Sequence, residues 1–187
     1  ARLAAELDAE FQRIGPGRVM AFIAETVVGA TSGCVAAEPG YFAAVREVCD
    51  RHGALLILDE VMGGMGRCGT THTWEQEGVT PDLQAVAKGL GAGYLPLGAM
   101  LVSRRVMTAL EQGSGAFAHG HTFQAHPVAC AAALEVQRII AEEELVANVR
   151  RLGAVLMAAL RARFAAHPHV ADIRGRGLFQ ALEFVAD

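Results

Sequence analysis

An apolar run at residues 54–58 constrains the fold of this chain more than any other feature. Apolar side chains at every position are typical of a central parallel strand that is covered on both faces. A helical pattern at residues 41–51 precedes this run and ends at Gly53, and another apolar run, at residues 19–24, precedes the helix. This strand-helix-strand order predicts an α/β layer fold with a mostly parallel sheet.

Periodic patterns divide the rest of the chain into further elements. Helical spacing is present at residues 3–14, 104–112, 126–142 and 144–165. Short apolar runs predict strands at residues 83–87, 98–103, 170–174 and 178–185. The long helix from Glu144 and the strands after it predict the start of a smaller α+β domain. We therefore divide the chain into residues 1–143, part of a large domain, and residues 144–187, part of a small domain.

Charge and composition favour a small-molecule partner over nucleic acid or a membrane. The 16 basic and 20 acidic residues give a net charge of -4, and no run of like charges offers a footprint for either surface. No apolar stretch reaches the roughly 18 residues that span a bilayer. The first residues form an amphipathic pattern, so we expect a soluble cytoplasmic protein. The chain begins with Ala1 rather than Met, which indicates a piece of a longer protein.

The cysteines and histidines indicate neither a disulfide framework nor a metal centre. The four cysteines are scattered without a C-x-x-C pair, which predicts reduced, mostly buried thiols at Cys34, Cys49, Cys68 and Cys130. His119, His121 and His126 are close in sequence, but no carboxylate or cysteine joins them at a familiar ligand spacing. We therefore expect no metal site.

Two charged residues follow predicted strands and are the candidates for a functional site. Ligands of an open parallel sheet sit beyond the carboxyl ends of its strands, and Asp59, followed by Glu60, is at such an end. A carboxylate directly after five apolar residues is costly to desolvate unless a cation meets it; the alternative is a solvated loop carboxylate. Lys88 follows another apolar run among glycines. A lysine in a partly dry site can attack an aldehyde, although a lone lysine is usually a surface residue.

The glycines after Lys88 have the spacing of nucleotide-binding loops, but the context does not fit. Gly89, Gly91 and Gly93 could suggest a dinucleotide-binding loop, yet Pro96 and a strand follow where that fingerprint requires a helix. The Lys-Gly pair also lacks the following Ser or Thr and the glycine spacing of a phosphate-binding P-loop. A nucleotide cofactor is not expected.

Several motifs within residues 55–103 are more specific together than any one alone. Asp59 follows an apolar strand, a G-x-G-R-x-G loop spans residues 64–69, and Pro81-Asp82 precede Lys88 in a K-G-L triplet. This pattern resembles the cofactor segment of class III pyridoxal-phosphate aminotransferases of fold type I. The similarity extends through most of the chain. It implies an incomplete large domain with a mixed, mostly parallel sheet flanked by helices, followed by the start of a small C-terminal α+β domain.

The resemblance also implies a role for each matching residue. Lys88 would hold pyridoxal 5'-phosphate as an internal aldimine and move the proton between substrate and cofactor. Asp59 would keep the pyridine nitrogen protonated, and Val61 would pack under the ring. Glu25 would lie on the substrate side. Thr122 would reach the phosphate of the neighbouring subunit's cofactor, which requires a homodimer; whether dimers pair into tetramers stays open.

The implied activity is transfer of an amino group between a primary amine or ω-amino acid and a keto acid such as pyruvate, by a ping-pong cycle. A 2,1-aminomutase, a decarboxylase or a racemase would share Asp59 and Lys88, and a non-catalytic binding domain is a further alternative. Thr26 stands where the family usually has proline, and Met62 where several members have glutamine. The phosphate-holding turn and the substrate-binding arginine of the family are expected outside these 187 residues, so activity is expected of the parent protein.

Overall fold

The computed structural model describes residues 2–186 and contains a four-stranded mixed sheet in the order β1-β4-β5-β6. β1, β4 and β5 are parallel, and β6 is antiparallel to β5. β2 and β3 form a separate antiparallel pair. The six strands are β1 (Ala21–Glu25), β2 (Val27–Val28), β3 (Val35–Ala36), β4 (Leu55–Asp59), β5 (Leu83–Val86) and β6 (Ala99–Val102). The predicted strand-helix-strand unit is confirmed, with each boundary within two residues.

Helices connect and follow these strands near the predicted positions. They are α1 (Arg2–Ile14), α2 (Tyr41–His52), α3 (Arg104–Gln112), α4 (Pro127–Glu142) and α5 (Leu145–Phe164), with short 3-10 turns at Thr73–Glu77 and Lys88–Leu90. Gly53 ends α2 as expected: it adopts a φ of 70°, and its N–H donates to the Asp50 carbonyl. An antiparallel hairpin, β7 (Val170–Arg176) and β8 (Phe179–Phe184), follows α5.

The core lies between the sheet and the helices α1 and α2. Leu56 and Leu58 of β4 are fully buried there, against a cluster of Phe11, Phe42, Val45, Val48, Cys49, Ala54 and Val79. Alternation along β4 places Leu55, Ile57 and Asp59 on the opposite face. Burying such aliphatic side chains stabilises a fold by about 1.5–3 kcal/mol each. Packing of Leu56 and Leu58 fixes β4 against the core, and Asp59 is thereby held at the end of the strand on the opposite face.

The second face of the sheet is only partly covered by the described residues, and Leu55, Ile57 and Asp59 of β4 are half-buried on it. Ile23 and Met100, which share a face with Asp59, are 65% and 52% exposed. The reason is that the later helices pack elsewhere: α4 contacts the Lys88–Leu90 turn and α5, and α5 contacts β7. Asp59 therefore ends a strand whose second face is open to a further layer or ligand.

The C-terminal hairpin packs back onto the sheet-containing part of the chain. Arg174 donates to the carbonyls of Ser32 and Gly33, each at 2.8 Å, and Arg176 pairs with Glu77. The proposed boundary between residues 143 and 144 stays a prediction. Within residues 2–186, no helix is long and apolar enough to cross a membrane.

Candidate functional site

Two carboxylates lie side by side at the carboxyl edge of the parallel strands. In the sheet register Asp59 is flanked by Glu25 of β1 and Ala85 of β5, so the side chains of Glu25 and Asp59 are on one face. The Asp59 Oδ1 accepts the Val61 N–H at 2.9 Å. No other residue in the range 2–186 hydrogen-bonds to the Asp59 carboxylate, which leaves Oδ2 available for a ligand.

Lys88 lies just beyond the end of the neighbouring strand. It begins the 3-10 turn with a φ of 39°, in the left-handed region that is unusual for a lysine, and the Leu90 N–H donates to the Ala87 carbonyl at 2.8 Å. The Lys88 side chain is exposed among the described residues. Lys88 is the only lysine in the sequence. Its amine makes no ion pair or hydrogen bond within residues 2–186.

Two adjoining clefts open beside Lys88. One, of about 300 Å³, runs between the 64–67 loop, α5 and Phe179 of the C-terminal hairpin. The other, of about 630 Å³, runs along the Ala92–Tyr94 segment and α4. Arg67 and Lys88 line both, and the remaining walls are largely apolar. Such a lining suits a small molecule with an apolar body and an anionic end.

The other predicted site residues fall outside these two clefts. Glu25 is half-buried and its Oε2 accepts the Gly29 N–H at 2.9 Å. Val61 is half-buried directly after the strand end. Thr122 is exposed in the segment between α3 and α4. The structure thus brings Glu25, Asp59 and Val61 together at one strand edge, places Lys88 on the next strand's loop, and leaves Thr122 apart.

Glu60 has a structural role that sequence reasoning missed when it paired this residue with Asp59. Its side chain is 1% exposed. Burial raises the pKa of the carboxyl, while hydrogen bonds from the N–H groups of Thr73 and Trp74 and from the Thr26 hydroxyl act to lower it. The donor distances are 2.7–2.9 Å, and Gln84 Nε2 is the fourth donor, at 2.9 Å. Glu60 thus joins β5, the turn at Thr73 and Thr26, which directly follows β1, to the end of β4. The one available signal was Gln84, a polar residue inside an apolar strand.

Asp82, part of the Pro-Asp motif, is also committed to the fold. It is 6% exposed and accepts hydrogen bonds from the Leu56 N–H and Arg46, both at 2.8 Å. Although burial opposes ionisation, the Leu56 N–H and the Arg46 guanidinium hold the pKa of Asp82 below its ordinary value. The motif therefore joins α2, β4 and β5 and does not contribute a group to the clefts.

Three of the four thiols are buried, as predicted. Cys34, Cys49 and Cys68 are buried and free, and Cys130 is free and exposed. Burial raises the pKa of the Cys68 thiol to about 11, so it is protonated at neutral pH. Among residues 2–186, no three His, Cys, Asp or Glu side chains are grouped as metal ligands would be.

The family model for Aminotransferase class-III matches residues 2–187. The chain belongs to the class III aminotransferases. An aminotransferase of Gibberella zeae is 60% identical over 186 residues, which cover 100% of this chain and 36% of the relative. The structure of an (S)-enantioselective ω-transaminase from Thermomicrobium roseum has a TM-score of 0.93 at 42% identity, over 100% of this chain and 41% of that one.

A more distant class III relative is described with cofactor. The structure of ornithine aminotransferase from Toxoplasma gondii has partial occupancy of PLP at the active site, with a TM-score of 0.86 and 33% identity to this chain. It is covered over 42% of its length by 98% of this chain. The present chain therefore spans between 36% and 42% of these relatives. These likenesses confirm the predicted fold, a partial segment of a fold type I transferase, while the roles of individual residues stay predictions.

Proposed function

We propose that the complete protein is a pyridoxal-phosphate-dependent aminotransferase, which transfers an amino group between a primary amine or ω-amino acid and a keto acid such as pyruvate. The observation that carries this proposal is the juxtaposition of Asp59 and Lys88 at the ends of two adjacent parallel strands. Membership in the class III family supports the reaction class. The donor set fits the cofactor, because Lys88 has an uncommitted amine and Asp59 an available carboxylate oxygen.

When bound, pyridoxal phosphate supplies an aldehyde carbon and an electron-accepting pyridine ring. Lys88 would hold the cofactor through its Nζ and would serve as the general base that takes and returns the substrate proton. Asp59 would keep the pyridine nitrogen protonated through its carboxylate, and Val61 would pack against the ring. Glu25 would lie on the substrate side, where its carboxylate could meet a cationic group of the protein or the substrate.

The half-reaction of the complete protein tests this function. Addition of an amine donor should yield the keto product and pyridoxamine phosphate; release of CO₂ or return of racemised amine, with unchanged cofactor, would instead indicate a decarboxylase or racemase. Asp59→Ala should slow this half-reaction by about 10²–10³-fold, because the ring nitrogen loses the group that holds its charge. Covalent attachment at Lys88 should persist in that variant. Near-normal turnover of Asp59→Ala would contradict the role assigned to Asp59.

We also propose that Thr122 serves the cofactor phosphate of a second subunit in a homodimer. Its support is that Thr122 is exposed and outside both clefts beside Lys88, while matching the family motif. Co-expression of a Lys88→Ala chain with a Thr122→Asp chain separates the two arrangements. The whole co-expressed population should recover about a quarter of the wild-type rate, because random pairing makes about half of the dimers mixed and each mixed dimer holds one intact site of two. No recovery above the Thr122→Asp homodimer would mean that Thr122 acts within its own subunit or not at all.

A further inference from the structure

Three segments meet backbone to backbone: α5, the turn between β7 and β8, and the 64–69 loop that lines the Lys88 clefts. A Cβ atom on Gly153 of α5 would lie 2.4 Å from the carbonyl oxygen of Gly177, in the β7–β8 turn. A Cβ atom on Gly177 would lie 2.6 Å from the carbonyl carbon of Cys68 and 2.8 Å from the Arg67 oxygen. Real Cβ contacts are not this short, so glycine is required at both positions for α5, the turn and the loop to approach.

Hydrogen bonds fix this stack of backbones in place. The Leu178 N–H donates to the Arg67 carbonyl at 3.1 Å. The Gln180 side-chain amide donates to the carbonyls of Gly153 and Gly177, at 2.8 and 2.6 Å. Arg150 of α5 donates to the Gly69 carbonyl at 2.7 Å. The loop is thus held from behind by both α5 and the hairpin turn.

Met65 of the same loop packs closely against Gly89, the residue after Lys88. A Cβ atom on Gly89 would lie 3.0 Å from the Met65 Cβ and 3.6 Å from the Met65 oxygen. From the other side, Gln137 of α4 donates to the Leu90 carbonyl at 2.8 Å. Lys88 itself holds a φ of 39°, which a non-glycine residue keeps only when its surroundings fix it.

We propose that Gly153, Gly177 and Gly89 form a series of close packing contacts through which the C-terminal hairpin positions Lys88. The series runs from α5 through the hairpin turn to Cys68 and Met65 of the loop, and from there to the turn that begins at Lys88. These residues are positioning residues, since none of them supplies a reacting group. The proposal rests on the proposed function, because its consequence is the placement of the Lys88 amine.

Alanine at Gly177 is the direct test, with alanine at Gly78 as the matched control. Both glycines have positive φ, 54° and 65°, but nothing lies within 4 Å of a Cβ at Gly78. In the complete protein, Gly177→Ala should slow the single-turnover half-reaction by about 10–100-fold, since displacements of about 1 Å cost that much. It should also shift the pH at which the absorption of the lysine-bound cofactor changes. Gly78→Ala should leave both unchanged.

Two further variants keep the test decisive if Gly177→Ala fails to fold. Gly153→Ala should favour α5 by its helix propensity, so slower half-reaction kinetics cannot come from a weakened helix. Gln180→Ala removes two hydrogen bonds without adding bulk. The inference is overturned if folded Gly153→Ala and Gln180→Ala keep the wild-type rate constant and pH titration. A wild-type protein without cofactor on Lys88 would instead overturn the proposed function itself.

Discussion

Lys88→Ala in the complete protein is expected to abolish amino-group transfer, with a loss of at least about 10⁴-fold in the half-reaction rate. The reason is that one amine is assigned both the covalent attachment of the cofactor and the proton transfer, and these 187 residues contain no other lysine. The measurement is single-turnover conversion of an amine donor by the variant loaded with pyridoxal phosphate.

Two comparisons make the Lys88 result specific. Lys88→Arg keeps the positive charge but has no amine that can attack an aldehyde, so it should be as inactive as the alanine variant. Arg163→Ala removes an exposed cation near the end of α5 that has no partner among the described residues, and it should keep the wild-type rate. Substantial turnover by Lys88→Ala would show that the reacting amine lies elsewhere in the protein.

Glu60→Ala is expected to have the largest effect on stability, lowering the free energy of unfolding by about 3–5 kcal/mol. The substitution removes the acceptor of four donors, including the buried N–H of Thr73 and the part-buried N–H of Trp74, and each unsatisfied buried donor costs about 1–3 kcal/mol. Glu60→Gln keeps one acceptor oxygen and should lose less. Chemical denaturation of the complete protein measures these differences.

The matched control for Glu60 is Glu47, an exposed glutamate of α2 without a hydrogen bond or ion pair in the described part of the chain. Glu47→Ala should stay within about 0.5 kcal/mol of wild type. If Glu60→Ala unfolds at the same denaturant concentration as Glu47→Ala, the buried network does not hold the end of β4, and the separation of Glu60 from Asp59 in role would be wrong.

The central strand, Asp59 and Lys88 could be predicted from the sequence because their signals are local. Five consecutive apolar residues predict a buried strand, and a carboxylate directly after them predicts a site at the strand end. Lys88 was found in the same way, on the loop after the next strand. The partial exposure of the second face of the sheet could not be predicted from the sequence, since it depends on where α4 and α5 pack.

The features that sequence reasoning missed all depend on contacts between distant segments. Glu60 comes directly after Asp59, the last residue of β4. Its structural role is visible only in the fold, where Thr26, Thr73 and Gln84 donate hydrogen bonds to its carboxylate. Gly177 reads in the sequence as an ordinary turn glycine. Its contact with Cys68 becomes visible only when the hairpin is placed against the loop.

Reductive trapping tests the central claim most directly. The complete protein, loaded with pyridoxal phosphate, is reduced with borohydride and digested, and the modified peptide is mapped. We predict one pyridoxyl group per chain, on Lys88, and the same modification in Asp59→Ala but not in Lys88→Ala. An unmodified Lys88 peptide, or a modified lysine elsewhere in the protein, would contradict the assignment of this segment as the cofactor-binding part of the enzyme.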